Sequence, residues 1–284
     1  QKVATAEQLA SAKRNFEVGT QTITDTHEAQ SAYDLVTAQV LAGEGDLEVK
    51  RAALRQIIGK DAGNLSRLKD GVQLSAPVPS QINEWVSTAE KQNYGVTGSQ
   101  ISLEIAQREI KKSRAGHLPT VDLTASTARN NGPLATGGNG ISKPSTIGVS
   151  VTIPIFKGFS TDSRVRETIA LEDKARNDLE NARRTAAQGA RQAYIGVVSG
   201  LAQIKAFEAA EISSQSALDS TKLGYQVGVR INIDVLNAQQ KLSNTRQSLA
   251  KARYDNIVNG LRLKAAAGTL KEADLAEVNT FLVQ

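Results

Sequence analysis

Two widely separated stretches place an acid at the same distance from a glycine turn. Phe16-Glu17-Val18-Gly19-Thr20 leads to Asp25, Ala29 and Gln30, and Tyr225-Gln226-Val227-Gly228-Val229 leads to Asp234, Ala238 and Gln239. The register between them holds without a gap at 209 positions, pairing Leu54 with Leu263 and Gly59 with Gly268 as well. An acid placed just after such a glycine turn falls in the first turn of the next helix. There a carboxylate accepts hydrogen bonds from unpaired amides and meets the positive end of the helix dipole. Spacing alone leaves two roles open for Asp25, Asp234 and the neighbouring Arg230. They either stabilise a helix start and decorate a surface, or they act at the turn itself.

The remaining chemistry is sparse. No nucleophile, base and orienting group fall into a recognisable pattern, and no glycine loop has phosphate-binding spacing, so no enzyme and no cofactor are expected. There is no cysteine and there are two histidines, which leaves almost nothing to build a metal site from. His27 is either a solvated side chain on the turn helix or a group that tunes the turn with pH, and His117 reads as ordinary. Trp85, the one tryptophan, is expected to pack a short helix onto the helical body, with a partner anchor as the other reading.

These turns must be carried by long helices. From Ser160 to about Gly224 the chain has no proline, and Leu179, Ala182, Ala186, Ala190, Ala193, Val197, Leu201 and Ile204 recur at steps of three and four. Arg183, Arg184, Gln188, Gln192 and Lys205 fall outside that seam. Such a helix would be roughly 100 Å long and needs neighbours along its whole side. Further helices are expected over Gln1–Phe16, from near Thr22 to Ile58, over Gln81–Gln92, over Val96–Ala115 and from Ile233 to Ala267. A short amphipathic tail over Leu270–Leu282 closes the chain. Val72, Gln73 and Leu74 are a candidate short strand.

The texture changes at Leu118–Thr127 and Thr146–Ile155, which alternate apolar and polar residues with period two around a Gly/Asn/Pro-rich loop, Asn130–Pro144. Two strands of this length and pattern suit a transmembrane β-hairpin. A half-buried hairpin on a water-soluble sheet uses the same alternation. Both readings stay open from pattern alone.

Composition narrows the class. Only 4% of the 284 residues are aromatic, which suits thin helical layers better than a thick core. The net charge is +5, but Arg164, Arg166, Glu167, Glu172, Asp173 and Lys174 interleave both signs, so no nucleic-acid partner is expected. No apolar run is long enough for a transmembrane helix. The sequence opens on Gln1 within helical sequence, which reads as a processed or truncated end. The 209-residue offset implies two more strands and most of a long helix ahead of it.

Together these segments resemble the TolC family of trimeric outer-membrane channel-tunnels. The resemblance is carried by Phe16–Asp25 (Phe-x-Val-Gly…Ile-Thr-Asp), Gly116–Thr127, Pro-Ile-Phe-x-Gly at Pro154–Gly158, Gly-Tyr-x-Val-Gly-x-Arg at Gly224–Arg230 with Ile233-Asp234-Val235-Leu236, and Ala252-Arg253-Tyr254. It implies a mainly α fold with a membrane β-hairpin. Long antiparallel coiled-coil-like helices would form an α-barrel through the periplasm, and strands of three subunits one β-barrel in the outer membrane. The corresponding parts would be 1–63 (a helical hairpin of an incomplete first repeat), 64–116 (an equatorial region), 117–158 (the membrane hairpin), 159–269 (the second helical hairpin) and 270–284 (an equatorial tail).

The implied function is a passive exit duct of a tripartite drug-efflux or type I protein-secretion machine. Its partners would be a periplasmic adaptor, an inner-membrane transporter, outer-membrane lipid and the exported drugs or proteins. Adaptors would dock on the tips Val18, Gly19, Thr20, Val227, Gly228 and Val229. By motif, the gate residues are Thr24, Asp25, Tyr225 and Arg230. The family's paired lumen acids fall on Asp234 and, in departure from the pattern, Asn237, so a trimer would offer three carboxylates rather than six and only weak cation binding. Thr120, Asp122, Thr124, Ser150 and Thr152 would face a wet lumen, and Val121, Leu123, Val149, Val151 and Ile153 lipid. The competing readings are a periplasmic adaptor with a helical hairpin and a soluble coiled-coil scaffold.

Overall fold

The computed structural model describes residues 1–61, 63–69, 71–133 and 137–283. In chain order the elements are α1 (Lys2–Glu17), α2 (Ile23–Ile58), α3 (Ile82–Gln92), α4 (Tyr94–Arg114), β1 (Thr120–Thr127), β2 (Asn130–Pro133), β3 (Asn139–Ser142), β4 (Ser145–Thr152), α5 (Ser160–Gln226), α6 (Asn232–Ala266) and α7 (Glu272–Thr280). The chain divides into two compact units, Gln1–Val86 with Gly189–Gln284, and Ser87–Gln188.

The first unit is built on helix seams. Along α5 the 67-residue helix is unbroken, and Ala190, Val197, Ile204 and Leu218 are buried while Gln192 and Lys205 are exposed. Small residues on that seam let helices approach closely, so the core is a series of thin clusters. Ile204 packs with Leu249 and Ala252, Leu218 with Val235 and Leu242, and Leu9, Ala12 and Ala29 with Leu236. Across α5 and α6, Arg246 meets Glu211 at 2.8 Å and Arg253 meets Glu208 at 2.8 Å. Asn256, only 4% exposed, donates its amide to the Val197 carbonyl at 2.8 Å.

Trp85 is core, packed with Val197, Leu263 and Ala267, and its indole N–H donates to the Pro79 carbonyl at 2.8 Å. A buried, satisfied indole is no anchor for a partner. The tail is held by Lys264, which reaches Asp274 at 2.7 Å and Glu277 at 3.6 Å. The Asp274 hydrogen bond raises the Lys264 pKa against a smaller opposing effect of burial. The same bond, followed by the Lys271 backbone amide, lowers that of Asp274.

Residues 72–74 are not a strand. Val72 and Leu74 do turn inward while Gln73 is exposed, and Leu74 packs against the Ile204 cluster. That alternation is satisfied by side-chain burial without a ladder partner among the described residues. A nearby bridge joins Leu68 to Leu282.

In the second unit β1 and β4 pair antiparallel over eight residues each, from Thr120 opposite Thr152 to Thr127 opposite Ser145. The ladder is shorter than the ten-residue strands expected. The Asn130–Pro144 stretch is also more than a loop: β2 pairs with β3, and Ala128 N–H donates to the Pro144 carbonyl at 2.9 Å between the two ladders. In the same unit Glu172 on α5 is clamped by Arg176 at 2.8 and 2.9 Å and meets Gln107 of α4 at 3.4 Å.

Candidate functional site

The two glycine turns have the same backbone. Val18 N–H bonds Arg14 O, Gly19 bonds Phe16 O, and Thr20 and Gln21 both bond Asn15 O. Shifted by the repeat offset, Val227 bonds Leu223 O, Gly228 bonds Tyr225 O, and Val229 and Arg230 both bond Gly224 O. Gly19 and Gly228 have φ of 76° and 77°, the left-handed region that glycine enters without steric cost.

The helix starts after the turns differ. Thr22 and Asp25 form a complete reciprocal cap, with Asp25 N–H on Thr22 Oγ1 at 3.3 Å and Thr22 N–H on Asp25 Oδ2 at 3.0 Å. At the second turn Ile231 stands where Thr22 stands and offers no side-chain acceptor. Only its amide bonds Asp234 Oδ2, at 3.5 Å. Arg230 lies 3.7 Å from that carboxylate.

The turns lie side by side. Gln21 Nε2 donates to the Tyr225 hydroxyl, Asn232 Nδ2 donates to the Asp25 carbonyl at 3.3 Å, and Gln8 Nε2 donates to Asn232 Oδ1. Of the four residues expected at the gate, Tyr225, Asp25 and Arg230 therefore each have a partner inside the chain, and none of the four bonds another. Thr24 is exposed, as are Val18, Gly19, Thr20, Val227, Gly228 and Val229. Asp234 is half-buried and Asn237 exposed. His27 is exposed. Gln21 and Asn232, the residues that tie the turns together, were not singled out from sequence. Asn232, 1% exposed in the first position of α6, carried the one readable signal, a polar residue where the apolar face begins.

The hairpin sorts its side chains as the alternation requires. Thr120 opposes Thr152, Asp122 opposes Ser150 and Thr124 opposes Gly148, while Val121 opposes Val151, Leu123 opposes Val149 and Ala125 opposes Ile147. One face is polar or small and the other apolar. The apolar face is uncovered, with Val121, Leu123, Val149 and Val151 at 68, 74, 69 and 60% exposure.

Comparison with known proteins agrees with this layout. The chain is 34% identical over 293 aligned residues to the outer membrane protein TolC of Escherichia coli, across 99% of this chain and 59% of that protein. It is 29% identical to the alkaline protease secretion protein AprF of Pseudomonas aeruginosa, across 97% of this chain and 58% of that one. The chain thus spans about three fifths of the length of these relatives. The Campylobacter jejuni CmeC outer membrane channel shares the fold, with a TM-score of 0.75 at 19% identity over 98% of this chain and 60% of that one. The family model for outer membrane efflux proteins matches residues 85–269, which contain the exposed ladder, all of α5 and the second glycine turn. An apolar ribbon face open to its surroundings, twinned turns on long helical hairpins and this match agree: the chain belongs to the outer membrane efflux protein family and is an outer-membrane protein.

Proposed function

We propose that the protein is one subunit of a homotrimeric exit duct that serves drug efflux or type I secretion, passive in itself and closed at its periplasmic end. The observation that carries this reading is the β1–β4 ladder with its apolar face exposed along its length. That face suits lipid, and the Thr120, Asp122 and Thr124 face suits water. The division into tip hairpin, equatorial region, membrane hairpin, second hairpin and tail belongs to the same reading, as do the adaptor and inner-membrane transporter as partners. The test is planar-bilayer conductance of the full-length protein. Discrete channels of stable conductance are expected. A detergent-independent soluble protein without conductance would overturn the duct.

The gate follows from the paired turns. Within the chain Tyr225 has a hydrogen bond, Arg230 a loose ion pair near solvent, and Asp25 its cap bonds to Thr22 and a bond from Asn232, each worth about 0.5–3 kcal/mol. Exchanging them for bonds to a neighbouring subunit costs little, so a threefold ring of such links would close the mouth. An adaptor that binds the open form better, docked on the Val18–Thr20 and Val227–Val229 tips, would release it. Asp234 supplies the lumen charge, tempered by Arg230. An adaptor or scaffold role has less support, since neither uses two equivalent turns side by side together with an exposed apolar ladder.

A further inference from the structure

Where β4 hands over to α5, the chain spends conformational energy on something its own residues do not return. Gly158 and Phe159 both have positive φ, 57° and 62°, and a bulky side chain in that region is strained. The Phe159 ring is nevertheless 68% exposed, as are Phe156 at 74% and Ile155 at 90%. The two rings meet edge to face, 5.6 Å apart, and present an aromatic pair outward. Aromatic rings at the rim of a membrane barrel sit at headgroup level.

The helical side of that rim is basic. Its cations are Lys111, Lys112 and Arg114 at the end of α4, Lys157, and Arg164 and Arg166 at the start of α5, against Glu109, Asp162 and Glu167. Two of the carboxylates are engaged, Glu109 by Lys112 at 3.0 Å and Glu167 by Arg164 at 2.8 Å, and Asp162 lies 3.7 Å from His117. Among the described residues Lys157 bonds only the Gly116 carbonyl, at 3.4 Å, which sets it beside the end of α4. Lys111 and Arg114 are exposed and face no carboxylate among the described residues.

We propose that Lys111 and Arg114 at the end of α4 and Lys157, adjacent in sequence to Phe156, bind the phosphate headgroups of anionic phospholipids in the leaflet nearest the periplasm. The inference rests on the reading of β1 and β4 as membrane strands. Basic side chains at a membrane surface attract anionic lipid additively, and three subunits would make the collar strongly selective. The apolar rings fix the depth at which the cations meet the headgroups.

The test uses the full-length protein in detergent, with dioleoyl phosphatidylglycerol or dioleoyl phosphatidylcholine added at equal amounts and the thermal midpoint read by circular dichroism. Phosphatidylglycerol should raise the midpoint several degrees more than phosphatidylcholine. That difference should collapse at about 0.5 M NaCl, where surface charges are screened, and in the triple variant Lys111→Gln, Arg114→Gln, Lys157→Gln. The single variant Lys157→Gln gives a graded loss should the triple variant fail to assemble. Equal shifts from both lipids would overturn the headgroup site and leave the membrane strands standing. No shift from either lipid, together with solubility without detergent, would remove the membrane reading itself.

Discussion

Asn256 lies directly against the backbone of Gly200. A β-carbon added at Gly200 would sit 2.5 Å from Asn256 Nδ2, the atom that bonds the Val197 carbonyl at 2.8 Å. The pair lets α5 and α6 approach closely and places a buried amide that fixes their register. Gly200→Ala gains about 1 kcal/mol of helix propensity and loses about 1–3 kcal/mol to overpacking. It should therefore destabilise the wild type. In an Asn256→Ala background the clash is gone, and the same substitution should stabilise. Denaturant midpoints of the four proteins in this cycle measure the change of sign.

The Lys264–Asp274 link sets a pH window for the docking of α7. Asp274 has a lowered pKa, so its contribution is complete above the ordinary carboxylate value near 4 and is lost as pH falls through the depressed value. Lys264 has a raised pKa, so its contribution is complete below about 10.4 and is lost as pH rises through the raised value. The difference in thermal midpoint between wild type and Asp274→Asn should be flat between about pH 5 and 10 and shrink on both sides. A difference unchanged down to about pH 2 would sink the assignment.

The second turn lacks half of its cap. Ile231→Thr supplies the acceptor that Thr22 provides at the first turn and should add about 0.5–1 kcal/mol, while Thr22→Ala should remove about 1 kcal/mol. Urea midpoints separate the two. Midpoints unmoved by both substitutions would mean that the cap difference has no energetic weight.

Asp234 is the lumen carboxylate of the proposed duct, and Asn237, one turn along α6, adds no charge. Asp234→Asn should reduce block by multivalent cations at least tenfold in planar bilayers, and Asn237→Asp should strengthen it by doubling the ring's charge. Unchanged block in both variants would place Asp234 off the conduction path.

Much of this fold was written locally. The α5 seam was readable because burial recurs every three or four residues, and both turns because Gly19 and Gly228 end helices in the same way. The Asp25 cap followed from its distance to the turn. What escaped was long-range or backbone-borne. Gln21 finds Tyr225, and Asn256 finds Gly200, across sequence separations that no period encodes. The β2–β3 ladder is made by main-chain bonds in an Asn/Gly stretch whose side chains read as loop. Val72 and Leu74 alternate like a strand, but the segment has no ladder partner. For the candidate site the two glycine turns were visible. The partners that occupy Tyr225, Asp25 and Arg230 within the chain were not.

The β1–β4 ribbon carries a consequence for biogenesis. Among the described residues each of its strands bonds only the other, so each leaves an outer edge of amides and carbonyls. Hydrocarbon cannot satisfy such groups, at a cost of several kcal/mol for each. On the proposed reading of β1 and β4 as membrane strands, a lone ribbon would therefore be rejected by the bilayer, and entry would wait until companion strands seal both flanks. For the proposed duct, strand pairing, within the protein or between subunits, would then precede or accompany burial.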